Sequence, residues 1–274
     1  MPWYAYLLAP AAFLFHGITA ARNFLFDRGL IRSQKSPIPT LVVGNLSVGG
    51  TGKTPWVEFL VRQLRDEVAV GTLSRGYGRK TTGFLQVLPS SSAAEVGDEP
   101  LQLFTQFKEA IPVFVGEDRV GATQKIQQIF PDLQLLILDD AFQHRKLRPD
   151  FRIVLTPFST PFSHDYLLPM GRLRESRAGA KRAEVVVVTK CPAELSQDEK
   201  NKLAGELAPY LNSEADLFFS SLNYGSPYHV AGPKQTDFTE VIALAGLADN
   251  APFFTYCKQQ YALIDFFSFP DHYA

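Results

Sequence analysis

Cysteine is scarce in this chain: Cys191 and Cys257 are the only two in 274 residues, and they lie far apart. They form no metal-ligand pair, and free thiols in a reducing compartment are a simpler reading than a disulfide. An excess of one charge is also lacking, since 27 Lys and Arg face 28 Asp and Glu for a net charge of −1. Composition therefore carries no global sign of nucleic-acid binding, and any basic surface must be local. There is no internal repeat, no low-complexity tract and no basic region ahead of the first apolar segment, which argues against a secretory signal. Residues 2–21 carry no formal charge and are rich in Trp, Tyr, Leu and Phe, but Pro10, His16, Gly17 and Thr19 break the run. A bilayer span needs about 20 predominantly apolar residues, and the dense part here is only 4–15. With Arg22, Asp27, Arg28 and Arg32 behind it, the segment reads as an interfacial helix lying among headgroups. A core helix and a true span are the alternatives.

What the chain does contain is the composition of a folded protein, 46% hydrophobic and 20% charged. Its length suits one large α/β domain, or a core plus a smaller second domain. The organising stretch is residues 40–56, TLVVGNLSVGGTGKTPW. Residues 40–43 are a short β-branched apolar run of the kind that forms a buried parallel strand. Residues 55–65 carry Val57, Leu60, Val61 and Leu64 at helical spacing. Between them lies a glycine-rich loop, Ser47-Val48-Gly49-Gly50-Thr51-Gly52, followed by Lys53 and Thr54. Glycines let a loop turn several N–H groups inward, and the following helix adds its positive dipole end, so the loop suits a polyphosphate. Lys53 is then placed for the terminal phosphates and the Thr54 hydroxyl for Mg²⁺. The pattern G-x-x-x-x-G-K-[ST] is departed from at one place, because Ser47 stands where the first glycine belongs.

Further strands are predicted at 68–73, 111–115, 133–138, 153–155 and 185–189, with helices at 101–107 and about 196–210. The loop SRGYGRK after the second strand holds Arg75, Arg79 and Lys80, and is either a solvated turn or an anion-binding loop at the carboxyl edge of the sheet. Asp98 and Glu99 open the 101–107 helix, where acids also serve as caps and dipole partners. Arg119 follows the strand at 111–115. LQLLIL ends in Asp139 and Asp140. A carboxylate at the end of such a strand is the expected second Mg²⁺ anchor beside Thr54, and two adjacent acids are poor core residues. His144 sits among hydrogen-bonding and basic groups at the same edge, and Arg172 and Arg174 belong to a basic stretch at 168–177. A boundary near residue 212 is expected, with new short strands at 218–222 and 241–246.

Six motifs in order, VGNLSVGGTGKTP, SRGYGR, GDEP, LDDAFQHRKL, PMGRLRE and FPDHY, resemble the tetraacyldisaccharide 4′-kinase family, the membrane-associated lipid A kinases of Gram-negative bacteria. In this family the Ser47 position carries Ser or Thr. The resemblance implies a P-loop parallel α/β core with an N-terminal membrane-associated helix and a smaller C-terminal domain, here 1–28, 29–212 and 213–274. It implies transfer of the ATP γ-phosphate to the 4′-hydroxyl of an acylated glucosamine disaccharide 1-phosphate, giving lipid IVA, at the cytoplasmic face of the inner membrane. No nucleic acid and no obligate protein partner enter that picture. By similarity Ser47 to Thr54 hold ATP, while Thr54, Asp139, Asp140, Glu99 and Glu175 surround Mg²⁺. Asp98 and His272 match an Asp/His pair that activates the sugar hydroxyl, and Arg75, Arg79, Arg119, His144 and Arg172 are expected to contact substrate. Family members continue past the FPDHY histidine, so the C-terminal domain is expected to be cut short. The competing reading is a P-loop ATPase that acts as a nucleotide-dependent membrane or partner-binding switch. Phosphate loops alone do not separate the two, whereas only the kinase needs Asp98 and His272.

Overall fold

In the computed structural model, residues 7–227, 229, 238–247 and 249–269 are described. The chain opens with helix α1 (Ala9–Asp27). Pro10 does not interrupt it, because it lies in the first turn, where a missing N–H loses no helical bond. No helix among the described residues is long and apolar enough to cross a membrane. Strands β1 (Gln34–Lys35) and β2 (Thr40–Asn45) lead to α2 (Lys53–Leu64), β3 (Val70–Ser74) and β4 (Leu85–Gln86). Then come α3 (Ala93–Val96), α4 (Asp98–Phe107), β5 (Val113–Val115) and α5 (Arg119–Ile129). Next are β6 (Leu135–Asp139), β7 (Leu147–Arg148), β8 (Phe151–Pro157), β9 (Val185–Cys191), α6 (Gln197–Leu207) and β10 (Asp216–Ser221).

Eight strands form one sheet in the order β10-β9-β8-β2-β6-β3-β5-β4, parallel throughout except for β4. Such strands are buried on both faces and read as continuous apolar runs, which is why VVVV and LLIL are legible. Alternate residues point to opposite faces. Val43, Ile137, Ile153 and Val187 pack with Val57 and Val61 of α2 and Leu103 and Phe107 of α4. Val42, Leu136, Leu138, Val154 and Val186 meet Ala122 and Ile126 of α5 and Leu203 and Leu207 of α6. Each such fully buried aliphatic side chain contributes roughly 1.5–3 kcal/mol relative to exposure.

The chain divides into two compact units, 1–221 and 222–274. The boundary expected near residue 212 falls later, because β10 pairs with β9 in parallel and completes the edge of the main sheet. A strand with an unpaired neighbour is drawn to it by main-chain hydrogen bonds that sequence periodicity does not reveal. Within the second unit, β11 (Glu240–Gly246) and β12 (Ala262–Phe269) are parallel and joined by α7 (Ala251–Gln260). An aromatic cluster of Tyr224, Phe253, Tyr256 and Phe266 packs this unit.

Candidate active site

The in-register pairing of β2 with β6 sets Val43 opposite Asp139, so the loop after β2 and the acids ending β6 emerge side by side. Gly44 makes this approach possible, since a Cβ there would lie 2.5 Å from the Cβ of Phe142. In the loop, Gly49 (φ 107°) and Gly52 (φ 85°) take the left-handed region that glycine alone enters freely. Ser47 is outside that region and its backbone instead bridges to Leu173. A serine is therefore tolerated where the general pattern has glycine. Gly52 is the N-cap of α2 and supplies no side-chain cap, which leaves the N–H groups of the first turn to a ligand.

The loop is braced from two sides. Val48 N–H donates to the Arg172 carbonyl at 2.8 Å, and Arg174 N–H to the Leu46 carbonyl at 2.7 Å. On the other side the Thr189 hydroxyl donates to the Thr51 carbonyl at 2.8 Å. These contacts give the 172–174 stretch and Thr189 a part in shaping the cradle that nothing local in the sequence announces.

Lys53 Nζ lies 3.8 Å from Asp140 Oδ1, with the lysine only 11% exposed. Arg174 Nη1 lies 3.0 Å from both oxygens of Asp140. Asp140 holds a positive φ of 48°, unusual outside glycine, and its N–H donates to the Val43 carbonyl. Beside it Asp139 is fully buried and its Oδ1 has no hydrogen-bond partner. Burial pushes its pKa up to about 7, helped by Glu99 and Asp140 and opposed by Lys53 and Arg119. The Thr54 hydroxyl donates to Glu99 Oε1 at 3.3 Å. Glu99 arrives on α4 because Gly97 (φ 93°) lets the GDEP loop meet Gly76 and Tyr77 of the SRGYGR loop. Asp98, at the same helix start, is exposed.

A buried carboxylate oxygen without a partner, at Asp139, fits a hard divalent cation. No three His, Cys, Asp or Glu side chains among the described residues converge to hold a metal by themselves. Mg²⁺ is usually held by one or two carboxylates together with substrate phosphates.

Other expected site residues are placed differently. Glu175 is buried and is held by Asn23 Nδ2 (3.0 Å), Gln143 Nε2 (3.0 Å) and Arg182 Nη2 (2.8 Å). It ties Asn23 of α1 to Gln143 and Arg182. The Arg79 guanidinium, 2% exposed, is engaged by Glu117 and the Gly83 carbonyl and clamps its own loop. Arg119 is buried at the start of α5, bonded to the Gly116 carbonyl and, at 3.4 Å, to the Asp139 carbonyl. Burial lowers its pKa to about 10, and it stays charged at neutral pH as a counter-charge under the acids. Arg172 pairs with Asp165 at 3.0 Å, and Arg75 is exposed at the end of β3. His144 is half-buried, its Nε2 has no partner, and burial together with Arg119 lowers its pKa to about 4, so it is neutral. His272 lies outside the described residues.

A parallel sheet whose glycine-rich turn feeds an uncapped helix, with acids on the neighbouring strand, defines a nucleotide-binding protein of the phosphate-loop class. The sequence profile of the LpxK family, described as tetraacyldisaccharide-1-P 4′-kinase, matches residues 4–274. A tetraacyldisaccharide 4′-kinase of Flavobacterium psychrophilum is 42% identical over 271 residues, covering 97% of this chain and 78% of that protein. One from Cytophaga hutchinsonii is 40% identical over 270 residues, covering 98% and 76%. A crystal structure of LpxK from Aquifex aeolicus in complex with ATP is similar at a TM-score of 0.76 and 32% identity, covering 98% of this chain and 82% of that one. The chain belongs to the tetraacyldisaccharide-1-P 4′-kinase family.

Proposed function

We propose that this chain transfers the γ-phosphate of ATP to the 4′-hydroxyl of a tetraacyldisaccharide 1-phosphate, giving lipid IVA. The observation that carries the reading is the grouping of Lys53, Thr54, Glu99, Asp139 and Asp140 at the loop in a member of this family. Phosphoryl transfer asks mainly for positioning and charge stabilisation, which a rigid cradle provides. The first-turn N–H groups of α2 and the Lys53 ammonium hold the phosphates. Lys53 exchanges its contact with Asp140 for the transferring group, while Arg174 keeps Asp140 in place. Thr54, Asp139 and Asp140 would hold Mg²⁺, with Glu99 orienting the Thr54 hydroxyl, and the ion would supply charge neutralisation at the phosphate oxygens. The match of GDEP and FPDHY to the family's motifs supports Asp98 and His272 as the pair that removes the proton of the sugar hydroxyl, a poor nucleophile at neutral pH.

An acylated acceptor must be met at a bilayer, and the first half of α1 is suited to it. Leu7, Phe13, Leu14 and Ile18 are 61–79% exposed. The second half is pinned to the body through Arg22, Asn23 and Asp27. The helix accordingly lies at the cytoplasmic face of the inner membrane as a peripheral anchor.

Purified protein incubated with ATP, Mg²⁺ and the disaccharide 1-phosphate in detergent should yield the 4′-phosphorylated lipid. ATP hydrolysis without lipid phosphorylation would replace the kinase with the nucleotide-dependent switch.

A further inference from the structure

A cavity of about 520 Å³ opens between the C-terminal end of α1, the 141–149 loop and β8. It is separate from the glycine-rich loop. Five arginines line it, Arg32, Arg145, Arg148, Arg152 and Arg182, against the single carboxylate of Asp27. Three are spoken for: Arg145 pairs with Asp27 at 2.6 Å, Arg152 with Glu184 at 3.1 Å and Arg182 with Glu175 at 2.8 Å. Among the described residues the side chains of Arg32 and Arg148 have no ion pair or hydrogen bond, and both are exposed.

The guanidinium groups are also held in position. Arg145 lies over the Phe26 ring at 5.2 Å and Arg182 over Phe142 at 4.5 Å. Stacked, planar guanidinium groups present their N–H edges with little entropy left to lose, and that fork geometry matches phosphate oxygens. Like charges gathered in one cavity repel one another unless an anion joins them. In keeping with this, burial and the nearby Arg182 and Arg145 depress the Arg152 pKa.

We propose that this cavity is a second phosphate-binding site, separate from the nucleotide cradle, which takes the phosphate of a lipid headgroup arriving alongside α1. The floor of Phe26, Val42 and Phe142 would cover the apolar part of that headgroup. The phosphate can come from the acceptor itself or from a bilayer phospholipid. Only this question of source rests on the kinase reading, because the site itself is defined by its side chains.

The test is calorimetric titration with glucosamine 1-phosphate while Mg²⁺ and a non-hydrolysable ATP analogue fill the glycine-rich loop. Wild-type protein should bind saturably, and R32A/R148A should bind at least about tenfold more weakly, since the loss of even one charge-assisted bond has that effect. Both arginines are exposed and unpaired, so the variant should fold, and R148E provides a second reading by charge reversal. No binding by wild type, or equal binding by the variants, overturns the site. If the phosphate is the acceptor's, KM for the disaccharide 1-phosphate rises about tenfold in R32A/R148A while binding to phosphatidylglycerol vesicles holds. If it is a phospholipid's, vesicle binding falls while KM in detergent holds. Inorganic phosphate competing as well as the sugar phosphate, with both lipid measurements unmoved, overturns the lipid assignment.

Discussion

Arg174 places Nη1 3.0 Å from both carboxylate oxygens of Asp140, while Lys53 Nζ stands 3.8 Å from one of them. The arginine therefore carries the stronger contact, and its backbone N–H is anchored on the Leu46 carbonyl just before the loop. Asp140 is held by a residue that is itself built into the phosphate cradle, and Lys53 is left comparatively free for a phosphate.

Replacing Arg174 with alanine removes that anchor and lets Asp140 close on Lys53. A charge-assisted hydrogen bond is worth about 1.5–3 kcal/mol, so kcat/KM should fall roughly 10- to 100-fold. Arg174→Lys should recover part of the loss, since a single nitrogen makes both contacts to Asp140 and an ammonium also supplies several donors. Steady-state kinetics in ATP checks this, and an unchanged kcat/KM would remove Arg174 from the site.

Gly97 and Gly49 both have positive φ but differ in their surroundings. A Cβ at Gly97 would lie 3.0 Å from the Tyr77 carbonyl oxygen and 3.1 Å from Gly76 Cα, whereas Gly49 has open space. Gly97→Ala should destabilise by about 2–3 kcal/mol, combining backbone strain with a clash, and should displace Asp98 and Glu99. Gly49→Ala should cost about 1 kcal/mol in stability. Denaturant unfolding compares the two, and equal losses would contradict the close packing of the GDEP and SRGYGR loops.

One buried and one half-buried group tilt stability with pH in opposite directions. Asp139 is raised from an ordinary 3.8 to about 7, so the native state keeps a proton that the unfolded chain has lost, and stability falls as pH rises across that window. His144 is lowered from 6.5 to about 4, so the unfolded chain takes up a proton that the native state refuses, and stability falls as pH drops below 6.5. In nucleotide-free protein the advantage of Asp139→Asn over wild type should grow with pH up to about 7, and that of His144→Gln should grow as pH falls below 6.5. Thermal melts from pH 4.5 to 8 read both trends. With Asp139 as the proposed Mg²⁺ ligand, which binds the ion only as a carboxylate, Mg²⁺ affinity should climb over the same range up to pH 7.

Phe13 and Leu14 are 79% and 67% exposed, so their replacement by aspartate should change stability by less than about 1 kcal/mol. Binding to phospholipid vesicles should nevertheless drop sharply, because the apolar face proposed to enter the headgroup region is lost. Unchanged co-sedimentation of Phe13→Asp/Leu14→Asp would separate α1 from the membrane.

The parts of the site that follow from short-range pattern were legible in advance. Residues 40–56 read as strand, cradle and helix because apolar run, glycines and helical spacing are local signals, and Asp139 and Asp140 follow from their place at the end of an apolar strand. In sequence Arg79 and Arg119 look like ligand contacts, because a basic loop looks the same whether its side chains face solvent or turn inward. Only their burial against Glu117 and beneath Asp139 distinguishes these cases. Glu175 resembles a metal ligand in sequence, whereas the partners that hold it, Asn23 and Arg182, stand 152 and 7 residues away.

By itself, then, the sequence determined a phosphate-loop α/β core, its family and the stretch that binds nucleotide, because hydrophobic periodicity and glycine placement act over a few residues. The tertiary structure alone decided that β10 closes the main sheet, that Arg174 secures Asp140, and that Thr189 and residues 172–174 brace the loop. It also decided that five arginines from distant segments share one cavity. Each of these depends on hydrogen bonds and charge contacts between residues far apart in the chain, whose pairing is set by strand order and helix packing rather than by any neighbour in sequence.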